Sequence, residues 1–264
     1  MLIAQLSDPH LCQPGVLYQG LVDSNALFEA ALATLAALDP QPDLVLLSGD
    51  VVEEGTAADY AAAQAMLGRI GPPVLAIPGN HDAREPFRAA FAGQMGLPAA
   101  GPLHVVRDIG PLRVVGFDIT VPGEHHGEAD AAACGWLDAT LTAAPERPTL
   151  VMMHQPPILS GIDAIDAYNC RGGERLAAVI ARHPQVERVL CGHVHRFMQT
   201  RFGGTLLLTA PSTATAIALR LRPAAEPASF VEPPAFLLHH WRPGAGLVTH
   251  LVPVGRFPGP FDFF

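Results

Sequence analysis

Along the chain, short runs of aliphatic residues end repeatedly at a glycine, serine or proline, and then at an aspartate, asparagine or histidine. Leu44-Val45-Leu46-Leu47 is the clearest case. Four apolar residues in a row predict a strand buried on both faces, as in a parallel sheet. Ser48-Gly49 lets the backbone turn, and Asp50 is delivered at the carboxyl end of the strand, where open α/β sheets place their ligands. The same pattern predicts strands over 2–6, 74–77, 149–153 and 186–190. They lead into Ser7-Asp8-Pro9-His10, Pro78-Gly79-Asn80-His81-Asp82, His154-Gln155-Pro156-Pro157 and Cys191-Gly192-His193-Val194-His195.

Between these strands the pattern predicts helices over 24–38, 56–70, 83–91, 129–143 and 174–182. Ser24 reads as the N-cap of the first, and Asp82 as a cap for the helix after it. Residues 103–109 and 112–119 alternate and are split by Gly110-Pro111, which predicts an antiparallel hairpin. Residues 158–170 read as irregular. Beyond His195 the chain is β-rich, with hairpins at Gly203-Gly204 and over 243–246 around a proline-rich stretch, 223–234. The alternation of strands and helices gives an α/β layered sandwich. Its expected division is a catalytic core over 1–210 and a β-rich C-terminal portion over 211–264, which completes the sandwich and supplies cap or oligomer contacts.

Composition narrows the class. A net charge of −9 argues against a nucleic-acid polyanion as bulk partner. All 16 basic residues are arginine, which excludes a Schiff-base lysine and a P-loop lysine. Cys12, Cys134, Cys170 and Cys191 are scattered, without a CxxC pair, and read as buried free thiols. No apolar run approaches the ~18 residues of a membrane span. Met1 to Asp8 reads as a first strand rather than a signal peptide, so a cytoplasmic protein is expected.

Five strand ends thus present Asp8 and His10, Asp50, Asn80 and His81, His154, then His193 and His195. Aspartate and imidazole suit Zn, Mn or Fe, and an asparagine carbonyl oxygen is a weaker neutral ligand. In Asp8-x-His10 and His193-x-His195, alternate side chains fall on one side of an extended segment. A lone histidine after a strand is a cap or a core residue. Five of twelve histidines at such strand ends are not explained that way.

Asp8-Pro9-His10, Gly49-Asp50, Gly79-Asn80-His81-Asp82, His154 and Gly192-His193-Val194-His195 together resemble the calcineurin-like metallophosphoesterase superfamily, in the family's order. More narrowly the chain is similar to the bacterial branch that includes glycerophosphodiesterases and class III cyclic-nucleotide phosphodiesterases. Leu17-Tyr18 ahead of Asp23-Ser24-Asn25-Ala26, and Cys170 ahead of Gly173-Glu174-Arg175-Leu176, resemble that branch's linkers. The resemblance implies a four-layer α/β/β/α sandwich holding two metal ions, Fe, Mn or Zn. Asp8, His10, Asp50 and His195 would hold one; Asp50, Asn80, His154 and His193 would hold the other, with Asp50 bridging. The activity implied is metal-dependent hydrolysis of small phosphodiesters, 3′,5′-cyclic nucleotides and/or glycerophosphodiesters, by a metal-bound hydroxide.

His81 belongs to neither ligand set and is the candidate to contact the phosphoryl oxygen or protonate the leaving group, with Asn80 beside it. A phosphomonoesterase or nucleotide pyrophosphatase could use the same site. A non-catalytic scaffold should have lost ligands or His81, and none is missing. The chain departs from the family at Pro9, and carries Glu54 where protein phosphatases have arginine. Tyr18 would stack on substrate or pack at the loop base; His125 and His126 would line the rim or face solvent. Arg84 and Arg196 directly follow motif residues and would meet phosphate or, the reading preferred for both, form surface ion pairs; His239, His240 and His250 read as non-ligands. The apolar tail Phe257, Phe261, Phe263 and Phe264 agrees with a homo-oligomer, the habit of that branch.

Overall fold

In the computed structural model, which describes residues 1–262, the apolar runs become strands and the stretches between them helices. The chain begins β1 (Leu2–Leu6), α1 (Ser24–Ala36), β2 (Leu44–Leu47), α2 (Ala57–Leu67), β3 (Val74–Ala76) and α3 (Arg84–Met95). It continues through β4 (Val105–Ile109), β5 (Leu112–Gly116), α4 (Ala131–Thr142), β6 (Thr149–Met152), α5 (Asp163–Asp166), α6 (Gly173–Ala181) and β7 (Val186–Cys191). The hairpin β8 (Met198–Phe202) and β9 (Thr205–Thr209) follows. It ends in the short pair β10 (Ala216–Ile217) and β11 (Ser229–Phe230), then β12 (Ala235–Arg242) and β13 (Gly246–Pro253).

Two large sheets form the centre. The first runs β13-β12-β1-β2-β3 and the second β4-β5-β6-β7-β9-β8. β1, β2 and β3 are parallel, and β12 joins β1 antiparallel with Leu2 opposite His240 and Gln5 opposite Leu237. In the second sheet β5, β6, β7 and β9 are parallel, with antiparallel strands at both edges.

The two-residue period of a strand sorts the second sheet's side chains between two cores. Val114, Leu150, Met152, Leu190 and Leu208 enter the core shared with the first sheet. Their neighbours Val115, Val151, Val189 and Leu207 face the opposite way, onto Cys134, Leu137, Leu176 and Val179 of α4 and α6. Residues of α1, α2 and α3 pack with the first sheet. The result is the α/β/β/α layering expected, with sheets buried on both faces and flanked by helices.

Local chemistry shifted several expected details. Asp23, not Ser24, caps α1, because its carboxylate accepts the Ala26 N–H while the Ser24 hydroxyl donates to the His10 carbonyl. α3 runs on to Met95 and stops where Gly96 takes a left-handed conformation. The stretch read as irregular holds the single turn α5. The four cysteines are buried and free. Phe257 and Phe261 are exposed; Phe263 and Phe264 lie outside the described residues. Among the described residues, no helix is long and apolar enough to cross a membrane.

β12 carries Phe236, fully buried in the core of the first sheet. Phe236→Ala is therefore expected to cost about 3–5 kcal/mol in urea unfolding, the range for an unrelieved aromatic cavity. A loss below about 1 kcal/mol would show that β12 lies outside the cooperative core.

Candidate metal centre

The loops that leave β1, β2, β3, β6 and β7 meet at one end of the two sheets. Backbone hydrogen bonds continue the ladder past the strand ends: Asp8 N–H donates to Gly49 O, His10 N–H to Asp50 O, and Gly192 N–H to His154 O, at 3.0–3.1 Å. Below them the sheets are tied by polar groups. The Gln5 amide donates to Ser48 Oγ and to Cys191 O, and Ser48 Oγ donates to Ser7 Oγ. These bonds fix the depth at which each ligand loop emerges.

Getting so many side chains to one point distorts the backbone. Seven described non-glycine residues have positive φ, and five of them are Asp8, His10, Asp50, His193 and His195. Such conformations cost energy and persist only where the surroundings enforce them. Space is equally tight. A side chain at Gly49 would collide with the His154 ring, and one at Gly79 with the Asp50 carboxylate.

Donor atoms of Asp8, His10, Asp50 and His195, all buried, lie within 4.8 Å of one another. Beside them, His154 Nε2 is 3.3 Å from Asp50 Oδ2 and 3.2 Å from Asn80 Oδ1. His193 Nδ1 is 3.0 Å from the same Asn80 oxygen. The structure thus brings all seven expected ligands together around Asp50. His81 stands at the edge, its N–H donating to Asp50 Oδ1 and its ring 4.8 Å from that of His10.

The protonation pattern tests whether this set suits a cation. His10 Nδ1 faces the Glu53 carboxylate at 2.8 Å, His195 Nδ1 the Thr215 carbonyl at 2.9 Å, and His154 Nδ1 the Ser48 carbonyl at 2.8 Å. Each of these partners only accepts, so each Nδ1 carries a hydrogen and each Nε2 is left facing the centre, where it offers a lone pair once a cation displaces any proton held there. Those lone pairs point inward. His10 Nε2 and His195 Nε2 stand 3.1 Å apart, with Asp8 Oδ1 3.4 Å from the latter. Two lone pairs cannot hydrogen-bond to each other, whereas a cation between them satisfies both. The donor set fits metal ions.

Electrostatics agrees. Burial opposes charge on the His154 imidazole, but Asp50 and Asp8 outweigh it and raise the group to about 9. Burial, together with His154, pushes His193 down to about 3. Burial likewise disfavours a charged His81, yet Asp50 and Glu53 lift it to about 10. Carboxylates in this cup draw in positive charge wherever geometry allows.

Three residues have roles that sequence reasoning missed. Glu53 holds His10 Nδ1 at 2.8 Å and His81 Nδ1 at 3.1 Å through one oxygen, so it orients both an inner candidate ligand and the edge histidine. Asp82 does not cap α3. Its carboxylate accepts the N–H groups of Gly79, Val51 and Val52 and the Tyr60 hydroxyl, pinning the Asn80-His81 turn to the Asp50 loop. Arg84 does form an ion pair, but with a buried partner: it grips Asp118 through two nitrogens and reaches both oxygens of Thr120. Arg196 does pair at the periphery, with Glu232 and the Ile217 carbonyl. Tyr18 is buried, stacked on His10 with ring centroids 4.6 Å apart. His125 is exposed 6.1 Å from His81, while His126 is buried. His239 is buried between Gln5 and Thr249, away from the ligands.

A calcineurin-like phosphoesterase family model matches residues 1–197. A probable glycerophosphodiester phosphodiesterase of Arcobacter nitrofigilis is 33% identical over 265 residues, spanning 100% of this chain and 97% of that one. A glycerophosphodiester phosphodiesterase of Enterobacter lignolyticus is 30% identical, spanning 99% and 94%. The 3′,5′-cyclic adenosine monophosphate phosphodiesterase of Pseudomonas aeruginosa is 31% identical, spanning 83% and 78%. A dimetal phosphatase from Danio rerio shares the fold, with a TM-score of 0.67 over 97% of this chain and 99% of its own at 14% identity.

Glu53→Ala is expected to leave the fold intact and weaken metal affinity about 10–100-fold, the usual effect of losing a carboxylate behind a liganding imidazole. Competition with a fluorescent chelator measures it. Unchanged affinity would reduce Glu53 to packing.

Proposed function

The chain belongs to the calcineurin-like phosphoesterase family, and from that premise we propose that it hydrolyses small phosphodiesters, cyclic nucleotides or glycerophosphodiesters, at a dinuclear metal centre. The observation that supports this most directly is the set of inward-facing lone pairs around Asp50, opening into a cavity of about 430 Å³. Asp8, His10, Asp50 and His195 would hold one ion. Asp50, Asn80, His154 and His193 would hold the second, Asp50 serving both. Their N/O donors suit Fe, Mn or Zn. Such ions supply Lewis acidity, which acidifies water and neutralises the phosphoryl oxygens.

The side chains do the rest. Asn80 and His81 flank the mouth of the cup, where a phosphoryl oxygen would lie. Without bound cations, Asp50 and Glu53 outweigh burial and raise His81 to about 10; with cations on Asp50, the Glu53 carboxylate 3.1 Å from Nδ1 is the partner that would keep the ring protonated. His81 Nδ1 is engaged by the Glu53 carboxylate and its backbone carbonyl, which leaves Nε2 as the ring nitrogen available to substrate. That proton can go to the departing alkoxide as the P–O bond breaks. Tyr18 and Gln19 line the same cavity.

The roles of Asp50 and His81 separate cleanly. Asp50→Ala is expected to lower occupancy of both ions, read as metal per protein by atomic emission, and to abolish turnover. His81→Ala is expected to retain metal while slowing turnover roughly 10²–10⁴-fold, as for a lost general acid. Metal loss in His81→Ala would refute this division of labour.

Diesters should also be favoured over monoesters. A monoester carries nearly two negative charges at pH 7, its second pKa being ~6, and needs cationic clamps to hold them. Arg84 is committed to Asp118 and Thr120, and Arg196 to Glu232. Among the residues lining the cavity the one arginine, Arg220, donates to the Glu226 carbonyl. With one metal loading, kcat/KM is expected to be higher for bis(p-nitrophenyl) phosphate than for p-nitrophenyl phosphate. The reverse order would overturn the diesterase reading.

A further inference from the structure

The cavity above the ligand cup has two unlike halves. Its floor is the polar set of Asp50, Asn80, His81 and the candidate ligand imidazoles; its outer wall includes Ile162, Ile165, Ile217, Ala218 and Ala228, alongside the polar Gln19, Arg220, Glu226 and Ser229. That wall comes from two loops that meet over the site, residues 158–170 and 216–230.

Both loops are built to hold their shape. Asp166 accepts hydrogen bonds from Ser160 N–H, the Ser160 hydroxyl, Gly161 N–H and the Asn169 amide. One carboxylate thus closes the whole turn around itself. Asp163 then accepts the Ala224 N–H at 2.9 Å, which ties this loop to the other across the top of the cavity. The second loop is paired internally through β10 and β11.

On this frame stands Tyr168, 44% exposed although it lines a cavity. Its ring centroid is 5.5 Å from that of His125 at an interplanar angle of 69°. His125 is in turn 6.1 Å from His81, and its Nδ1 is 3.4 Å from the Asn80 amide nitrogen. Rings therefore run outward in series from the phosphoryl end of the site: His81, His125, Tyr168. A substrate anchored by its phosphorus at the cup must lay its ester group along this series and against the aliphatic wall.

The chemistry of that wall discriminates between ester groups. A glycerol-type alcohol brings several hydroxyls, and hydroxyls set against methyl groups lose water without gaining partners. A flat aromatic group offers one face to the isoleucines and alanines and the other to a tyrosine ring, and keeps its polar edge toward the solvent-exposed mouth. We infer that the outer half of the cavity selects phosphodiesters bearing a flat aromatic ester group, of the nucleoside type, and that Tyr168 is the residue on which that group stacks. The inference rests on the phosphodiesterase reading above. It goes beyond sequence similarity, since relatives named for glycerophosphodiesters and for cyclic AMP match this chain at comparable identity.

The test compares wild type, Tyr168→Ala and Tyr168→Phe on 3′,5′-cyclic AMP and glycerophosphocholine under one metal loading. The same three proteins are titrated calorimetrically with 5′-AMP and glycerol 3-phosphate. Tyr168 is exposed on a loop whose own hydrogen bonds do not involve its ring, so folding is not at stake. Tyr168→Ala is expected to raise KM for cyclic AMP and Kd for 5′-AMP about tenfold, the order for losing one base–aromatic stack. Its kcat and its kinetics on glycerophosphocholine should stay close to wild type, and Tyr168→Phe should restore nucleotide affinity. Equal losses on both substrates, or wild type binding glycerol 3-phosphate as tightly as 5′-AMP, would overturn the inference. If no diester is hydrolysed but 5′-AMP binding still depends on Tyr168, the proposed function fails and with it the diester selectivity, while the role of Tyr168 as the residue on which a flat aromatic group stacks still stands.

Discussion

The outward commitment of three imidazole N–H groups is what the rest of the site depends on. Glu53, Thr215 O and Ser48 O each hold a histidine by its Nδ1, and that single bond per ring forces every Nε2 lone pair to the centre. Nothing about such a cluster is self-stabilising, because lone pairs and carboxylates repel. The scaffold must impose it. It does so with the backbone ladders that join the Asp8 loop to the Asp50 loop and the His154 loop to the His193 loop, with the Gln5–Ser48–Ser7 ties below, and with five candidate ligands held in left-handed backbone conformations. Strain and repulsion concentrated at one place, and supported by a core buried on every other side, is the usual signature of a site whose energy is recovered on binding.

Much of this was legible in the sequence because strand and ligand are coupled. A buried parallel strand is written as an unbroken aliphatic run, and its carboxyl end is where side chains meet, so Asp8, Asp50, Asn80, His154, His193 and His195 announce their convergence before any coordinate. The layering followed from the same alternation. What stayed hidden depends on contacts distant in sequence or on a choice between neighbours. Glu53 and Glu54 are adjacent acids, and only the turn of the backbone after Asp50 decides that the first reaches His10 and His81. Asp82 sits where a cap belongs, but four donors from two other segments claim its carboxylate first. Arg84 looked like surface because Asp118 lies 34 residues away, beyond any local pattern. The final hairpin could be read as a hairpin, but not as a partner for β1.

The two halves of the cavity answer to different constraints. The metal cup tolerates almost no variation, since a Cβ at Gly49 or Gly79 would collide with a ligand. The outer wall is made of loop residues whose only obligation is to keep the Asp166 turn and the Asp163–Ala224 tether intact. On the proposed reading, chemistry and selectivity would be carried by separate parts of one chain, an arrangement that lets a common site accompany relatives with different substrate names.

The pairing of β1 with β12 has a consequence for how the molecule is made. β1 lies in the interior of a sheet, and one of its two neighbours, opposite Leu2 to Gln5, is residues 237–240, far later in the chain. At translation speeds of about 5–20 residues per second, that edge stays open for roughly ten to fifty seconds while the intervening residues are synthesised. During that interval Ile3 and Leu6, fully buried in the finished protein, sit beside an unsatisfied row of backbone donors and acceptors. The nascent polypeptide is thus vulnerable to wrong strand partners along β1, and the β12–β13 hairpin acts as a late clasp that closes that edge of the sheet.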